Sequence, residues 1–382
     1  MAFVYNKFVT GKNFIGRKNE TTILANLLNQ GENVVLYDSP KTGKKSLVQQ
    51  AFFNMKIATQ RFAIAEVSFL NVRTVADLCM KLGSEVIRVS GLTPGDYADA
   101  VRRYLPGTHF VFDENIYAAK DLILSLNWDI DDEDIRAVLN LPYLIAADKG
   151  QKMYVYVGEF ENVSLTEDGD RFCHIMEDVF KARTAEDRRA ACYILVGSQL
   201  NAMKHIFEKR HFFVRQVERV KLNPIDSKDI IDHCSKSFLA TGKVVDRDLM
   251  SGVCRLFKEN VWYINHFCAI CDSLSKGYIM EPVLLEALDT IISIHEPRFI
   301  ATMNDLTTFQ VCLLRAVVDG VNKFSSAEVI RHYNLNSSAN VLRLKEALCK
   351  KEVLTFDEND EPRILDPLFE YWVTKKYFEI KG

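Results

Sequence analysis

Apolar residues follow two rhythms along the chain, and the rhythms change near Pro224. Before that point, short runs rich in Val, Ile, Tyr and Phe predict strands at Asn33–Tyr37 (NVVLY), Phe62–Phe69 (FAIAEVSF), Met153–Val157 (MYVYV) and Cys192–Val196 (CYILV), with a weaker fifth near Val217–Leu222. Helical spacing of apolar positions predicts helices at about 18–29, 44–57, 74–89, 171–183 and 199–208. Such alternation predicts an α/β class: a mostly parallel sheet covered by helices. Residues 92–150 are too many for a simple crossover and predict a helical insertion, in which Asp131–Asp134 supply negative charge to the start of a helix running from Ile135.

After Pro224 the helical rhythm takes over. Ser227–Ala240, Asp246–Lys258, Trp262–Lys276 and Pro282–His295 read as helices with no strand between them, a small helical lid. Thr307–Val318, Ser326–Tyr333 and Ser337–Lys350 follow, then a hairpin in VLTFDENDEPRIL and a last helix Pro367–Tyr377, which is the pattern of a winged helix. Three domains are expected: 1–223, 224–298 and 299–382. A length of 382 residues suits two or three domains. A formal charge of −3 gives no global basic field for nucleic acid or anionic membrane. The N-terminus does not read as a secretory signal, and no run is long enough to span a bilayer. Nine cysteines, several inside apolar helical patterns such as Cys79, Cys254 and Cys312, suit reduced buried thiols and a cytoplasmic location. His266, Cys268 and Cys271 lack the further ligands of a zinc site and read as core, so no metal site is expected.

The most informative stretch is NVVLYDSPKTGKKSLVQQAF, where a strand passes through a turn directly into a helix carrying Gly43 and Lys44. That geometry aims backbone N–H groups and a helix N-terminus at a polyphosphate. In GxxxxGK[ST] the lysine reaches the β- and γ-phosphates and the hydroxyl holds Mg²⁺. Ser39, Thr42, Gly43, Lys44, Lys45 and Ser46 are the candidate phosphate contacts. Asp38 replaces the first glycine, and Lys45 stands where the hydroxyl belongs, with Ser46 one place late. A lysine cannot ligate a cation, so Mg²⁺ is put in doubt, while Lys45 can itself neutralise phosphate. An ordinary surface turn is the alternative.

A second landmark is the strand MYVYV running into Gly158-Glu159-Phe160, the place of the Walker B carboxylates. Gly158 cannot hold a metal shell, whereas Glu159 can orient an attacking water, with Lys44 as its catalytic companion. Glu161, two residues on, reads as a solvated acid. The fourth strand ends in Gly197-Ser198-Gln199, at the sheet edge where ligands bind. Ser198 is a γ-phosphate contact or a helix cap, and Arg215 is a phosphate contact or a plain surface arginine.

Taken together these residues resemble the AAA+-related P-loop ATPases of the STAND type, found in archaea and Bacteroidetes and similar in plan to replication-initiator ATPases. The resemblance covers Phe14-Ile15-Gly16-Arg17 with Glu20, the LYDSPKTGKKSL loop, the strand ends GEF and GSQ, Leu222-Asn223-Pro224, WYINHF, and Asp366-Pro367-Leu368-Phe369 with Trp372. It implies a parallel-sheet P-loop core, a helical lid and a C-terminal winged helix, with ATP or ADP as cofactor. It also implies that Phe14, Ile15 and Gly16 lie beside the adenine; a staple at a helix N-terminus is the physical alternative. Asp38, Lys45, Gly158 and Val261 depart from the family pattern.

For the winged helix, Ser337–Lys351 carries Arg343, Lys345, Lys350 and Lys351, yet from Ala301 onward 11 Lys and Arg face 12 Asp and Glu. Such a balance favours a protein or intramolecular contact over DNA. The expected function is a nucleotide-dependent regulatory switch with weak or absent hydrolysis. A nucleotide-free interaction scaffold and a DNA binder acting through the winged helix are the alternatives.

Overall fold

A computed structural model describes residues 3–58 and 60–380. The chain forms two compact units, one of Lys18–Asp38 with Leu47–Leu222, the other of the residues up to Arg17, Ser39–Ser46 and the chain from Asn223 onward.

The first unit is built on a parallel sheet. Its strands are β1 (Asn33–Tyr37) and β2 (Phe62–Ser68), then, after a short antiparallel pair β3 (Phe110–Val111) and β4 (Ser125–Leu126), β5 (Lys152–Gly158), β6 (Ala191–Gly197) and β7 (Val217–Arg219). Spatial order is β2-β5-β6-β1-β7, all parallel, with Tyr37 opposite Gly197 and Ser68 opposite Gly158. β1, β6 and all but the first residue of β5 are buried, which is why these strands read as unbroken apolar runs rather than alternating ones. Asn33 opens β1 and is buried, which a polar side chain tolerates only when satisfied. Its Oδ1 accepts from the Tyr193 N–H (2.9 Å) in β6, and its Nδ2 donates to the Gln216 carbonyl (3.5 Å) just before β7. One amide thus fastens both neighbours of β1 in register.

The insertion is helical, as expected, with helices Pro94–Tyr104, Glu114–Lys120 and Asp132–Lys149. The last starts at Asp132 rather than Ile135, because Asp131 is the N-cap and Asp134 the reciprocal acid of a capping box. The acids thus cap the helix as well as charging its end. Helices Lys18–Gln30, Lys44–Ile57, Val75–Arg88 and Gly169–Ala182 match their expected spans within two residues. The one expected at 199–208 is α-helical only over Leu200–Lys204 and then widens into a π turn, His205–Lys209.

In the second unit, helices Ser227–Ala240, Arg247–Leu256, Val261–Leu274 and Glu281–Asn304 precede Thr308–Val318, Ala327–His332 and Ser338–Lys350. Two expectations are corrected. A two-residue parallel pair, β8 (Val244–Val245) with β9 (Tyr278–Ile279), lies among helices expected to have no strand. It escapes notice because two residues carry no period. The helix expected to stop at His295 runs to Asn304 through Pro297, since Phe299 and Met303 beyond the proline bury their side chains in the core. The wing is the antiparallel pair β10 (Leu354–Phe356) and β11 (Pro362–Ile364), followed by helix Pro367–Trp372, capped by Asp366. No helix among the described residues is long and apolar enough to cross a membrane.

Replacing Asn33 by Ala leaves the buried Tyr193 N–H without its acceptor; urea unfolding should show a loss of about 1–3 kcal/mol, and an unchanged midpoint would contradict the fastening role.

Candidate functional site

The phosphate-loop candidate, Ser39–Ser46, belongs to the second unit, although the chain enters it from β1 and leaves it along the helix Lys44–Ile57. Two residues take left-handed backbone, Lys41 (φ 67°) and Gly43 (φ 86°). A Cβ on Gly43 would meet only Arg17 Nη1 at 3.6 Å, so its glycine serves the backbone angle rather than space. The loop is closed by its own side chains. Thr42 Oγ1 donates to the Ser39 carbonyl (2.9 Å), and buried Lys44 sends Nζ to the same carbonyl (2.7 Å) and to Thr42 Oγ1 (3.3 Å). Arg17 Nη1 donates to the Thr42 carbonyl (2.6 Å). Ser46 Oγ accepts from the Val9 N–H (3.1 Å), and Lys45 Nζ lies 5.4 Å from the centre of the Phe8 ring.

Of the tetrad Phe14-Ile15-Gly16-Arg17, it is therefore Arg17 that reaches the loop. The sequence reading left it out as a contact because nothing in its spacing marks a long side chain that reaches 25 residues along the chain. Ile15 joins the hydrophobic core with Phe3, Ile230 and Phe238, and Phe14 is half-buried. Gly16 has φ 61°, and a Cβ there would lie 2.8 Å from Ile225 Cγ2, so this position admits glycine on two counts.

Lys41 was also not singled out. Its Nζ lies 3.7 Å from the centre of the Trp262 ring and 4.8 Å from that of Tyr263, on the helix Val261–Leu274. Tyr263 continues the connection: its hydroxyl lies 2.8 and 2.9 Å from the two Asp366 carboxylate oxygens, and Arg298 Nη2 donates to Asp366 (2.7 Å) and to the Tyr263 oxygen (2.9 Å). Tyr5 stacks on His266 at 4.2 Å, and His295 meets Trp262, Tyr263 and His266 edge-on or tilted at 5.5–5.8 Å. Burial, then repulsion from Arg298, pulls Lys41 down to about 8 against the opposing pull of Asp366. Burial, with Lys41, Arg298 and His266 adding, pulls His295 down to about 4. Both imidazoles are held neutral, and His295 Nε2 and His266 Nδ1 have no hydrogen-bond partner among the described residues. Cys268 and Cys271 of the same helix are buried, with Cys268 Sγ 3.9 Å from Cys234 Sγ.

In the first unit, Glu159 follows β5 in left-handed backbone (φ 53°), half-buried, and its Oε2 accepts from Ser68 Oγ at the end of β2 (2.7 Å). A Cβ on Gly158 would lie 3.2 Å from Tyr156 Cε1. Glu161 is not a solvated acid. It is 3% exposed, its Oε1 accepts the N–H groups of Ser198 (3.0 Å) and Gln199 (3.1 Å), and its Oε2 is buried without a partner among the described residues. Burial raises its pKa, against the lowering effect of those amides. The two-residue step from Glu159 to Glu161 hid this, because the chain turns into a 3₁₀ helix, Phe160–Leu165, and redirects the side chain. Ser198 does not cap the next helix: the N-cap is Gln199, without a side-chain cap bond. Arg215 is exposed, in left-handed backbone (φ 67°). One further group has ligand-like spacing, His109, Asp131 and Asp134. Asp134 there spends its oxygens on the His109 N–H, His109 Nδ1 and the Asp131 N–H, which helix capping accounts for.

The winged-helix cations divide. Lys345 is turned inward, 5.1 and 4.6 Å over Phe324 and Phe356, and pairs with Asp360 of the wing (2.5 Å). Lys351 donates to the Asp305 carbonyl (2.6 Å), whereas Arg343 and Lys350 are exposed. The four do not form one solvated basic face.

Comparison with solved structures gives a Walker-type ATPase of Pyrococcus abyssi, with TM-score 0.67 at 13% identity, covering 97% of this chain and 99% of that one. The chain has the fold of the Walker-type ATPases. The ORC2 protein of Aeropyrum pernix shares this AAA+-like fold, in its ADPNP–ADP complexes (TM-score 0.58, 12% identity, covering 94% and 93%) and in its ADP form (TM-score 0.55, 12% identity, covering 96% and 93%). Residues 297–375 match a family described as a probable winged helix domain. No curated protein matches the sequence. The parallel-sheet core and the C-terminal winged helix anticipated from the sequence are thus those of the Walker-type fold.

Because His295 binds its proton near pH 4 when folded and near 6.5 when unfolded, the unfolded chain holds the extra proton between those values, and stability rises with pH across that window. His295→Phe should flatten the rise of the urea midpoint between pH 4 and 6.5; an unaltered pH profile would show that this imidazole is not the titrating group.

Proposed function

We propose that this chain is a nucleotide-binding regulatory switch in which the Ser39–Ser46 loop holds the polyphosphate of ATP or ADP and hydrolysis is slow or absent. The observation that carries the reading is the convergence of Arg17 and Lys44 on the carbonyls of one short loop that opens a helix, with Lys45 in the next position. Arg17 and Lys44 are cations, so a phosphate at this loop would add charge–charge attraction, and with guanidinium a bidentate geometry, to the hydrogen bonds they can donate. These donors fit an anion. Ser39, Thr42, Gly43, Lys44, Lys45 and Ser46 are the proposed phosphate contacts, joined by Arg17. Phe14, Ile15 and Gly16 are proposed beside the base, Gly16 for its backbone and Phe14 for its half-exposed ring. Ser198 and Arg215 remain proposed γ-phosphate contacts. The Aeropyrum pernix protein of the same fold, solved with ADPNP and ADP, supports the choice of ligand.

The donors do not fit magnesium. Lys45 occupies the hydroxyl position, the Ser46 oxygen already accepts the Val9 N–H, and Gly158 supplies no ligand atom. Binding is therefore proposed to be independent of Mg²⁺. Glu159 is the carboxylate that would order an attacking water, with Lys44 drawing charge from the phosphate. Lys45 and Gly158 leave that pair without a metal ligand, so turnover is proposed to be slow.

The winged helix is proposed to contact protein rather than DNA. Lys345 is taken by Asp360 and two rings, and Lys351 by Asp305, which removes half of the helix's cations from any phosphate backbone.

Thermal unfolding with ADP or ATP at about 100 times the dissociation constant should show about 2.7 kcal/mol of stabilisation, equal in EDTA and in Mg²⁺, and absent in Lys44→Ala. No shift with either nucleotide would leave the scaffold reading in its place. Mobility shift on random duplex DNA should show no salt-sensitive binding, and a salt-dependent complex would favour the DNA reading.

A further inference from the structure

Lys41 has two possible partners that it cannot serve together. Its ammonium lies over the Trp262 and Tyr263 rings, yet it is carried by the loop proposed to hold polyphosphate, two residues before Gly43. The contact is a compromised one for a cation. The ring quadrupoles attract it, Asp366 assists, and Arg298 with burial opposes it. His266 and His295, which face the same space, are held neutral and offer no charge. An anion would satisfy Lys41 better than two aromatic faces do.

What the contact holds in place is the other half of the argument. The Tyr263 hydroxyl and Arg298 both engage Asp366, and Asp366 Oδ1 accepts the N–H groups of Leu368 (3.0 Å) and Phe369 (3.2 Å), so the carboxylate is also the cap of the last helix. A continuous path of contacts runs from the loop through one tyrosine to the start of that helix. We propose that Lys41 is a latch: its ammonium on Trp262 and Tyr263 holds Tyr263 against Asp366, and a polyphosphate bound at the loop draws Lys41 away and loosens the Asp366 cap. The ligand step rests on the nucleotide reading above; the hold of Lys41 on the cap does not.

The test measures amide hydrogen exchange at Leu368 and Phe369 in the full chain, for the wild type, Lys41→Met and Lys41→Arg, each without nucleotide and with ATP in EDTA. Methionine keeps the length of the side chain without the charge, and arginine keeps the cation. Without nucleotide, Lys41→Met should exchange roughly three- to tenfold faster than wild type at these two amides, a factor within the range that a partly desolvated cation–π contact supports, and Lys41→Arg should match the wild type. ATP should speed exchange in the wild type by a similar factor and add nothing in Lys41→Met. Equal exchange in wild type and Lys41→Met without nucleotide overturns the latch, whatever ATP does. Loss of ATP binding in the wild type, with the Lys41→Met difference intact, overturns the nucleotide reading and keeps the hold of Lys41 on the cap. Faster exchange across every helix of Lys41→Met, rather than at the cap, would also overturn it, because it would report general destabilisation.

Discussion

The shape of the Ser39–Ser46 loop depends on one acceptor, the Ser39 carbonyl. Thr42 and Lys44 both donate to it, and with Arg17 on the neighbouring Thr42 carbonyl they shape a loop that would otherwise be a plain turn. Two cations, Arg17 and Lys44, are thereby drawn onto adjacent parts of one short loop. The loop's shape is consequently set by several donors acting together rather than by any one side chain.

Two departures from the usual P-loop pattern, Lys45 and Gly158, fall where a metal would be held, and a third, Asp38, replaces the first glycine, while Gly43 and Lys44 are kept. Gly43 supplies the left-handed turn, and Lys44 is buried against the segment it follows. Lys45 and Gly158 remove ligands, and Ser46 is engaged by the Val9 amide. Anion recognition and metal chemistry are separable in this fold, since one depends on backbone shape and cations and the other on a few oxygen ligands at fixed places. A chain can lose the second and keep the first.

Three strands of the parallel sheet, β1, β5 and β6, were legible because buried strands are apolar along almost their whole length, and the half-buried β2 was legible from its β-branched and aromatic residues. The winged helix was legible from the order of its helices and hairpin. Less visible were contacts that depend on long side chains and distant partners. Arg17 and Lys41 carry no periodic signal, and Glu161 was misread because a 3₁₀ turn after β5 reverses the side chain's direction. Asn33 shows the same limit: a polar residue at a strand start looks like a boundary, yet it is wholly buried and joins three strands. The helix expected to stop at His295 passes through Pro297, since the apolar residues after it outweigh one missing hydrogen bond.

Tyr156 crowds the position of Gly158. A β-carbon at that position would press on the tyrosine ring at 3.2 Å, and Tyr156 is itself packed in the sheet's interior. An acid there requires the tyrosine ring to give by a few tenths of an ångström, so the substitution acts on the packing of the sheet as well as on the site. Building a metal site into this chain would thus engage Lys45 and Gly158 together, with Tyr156, a residue outside the proposed site, shifting to admit the second.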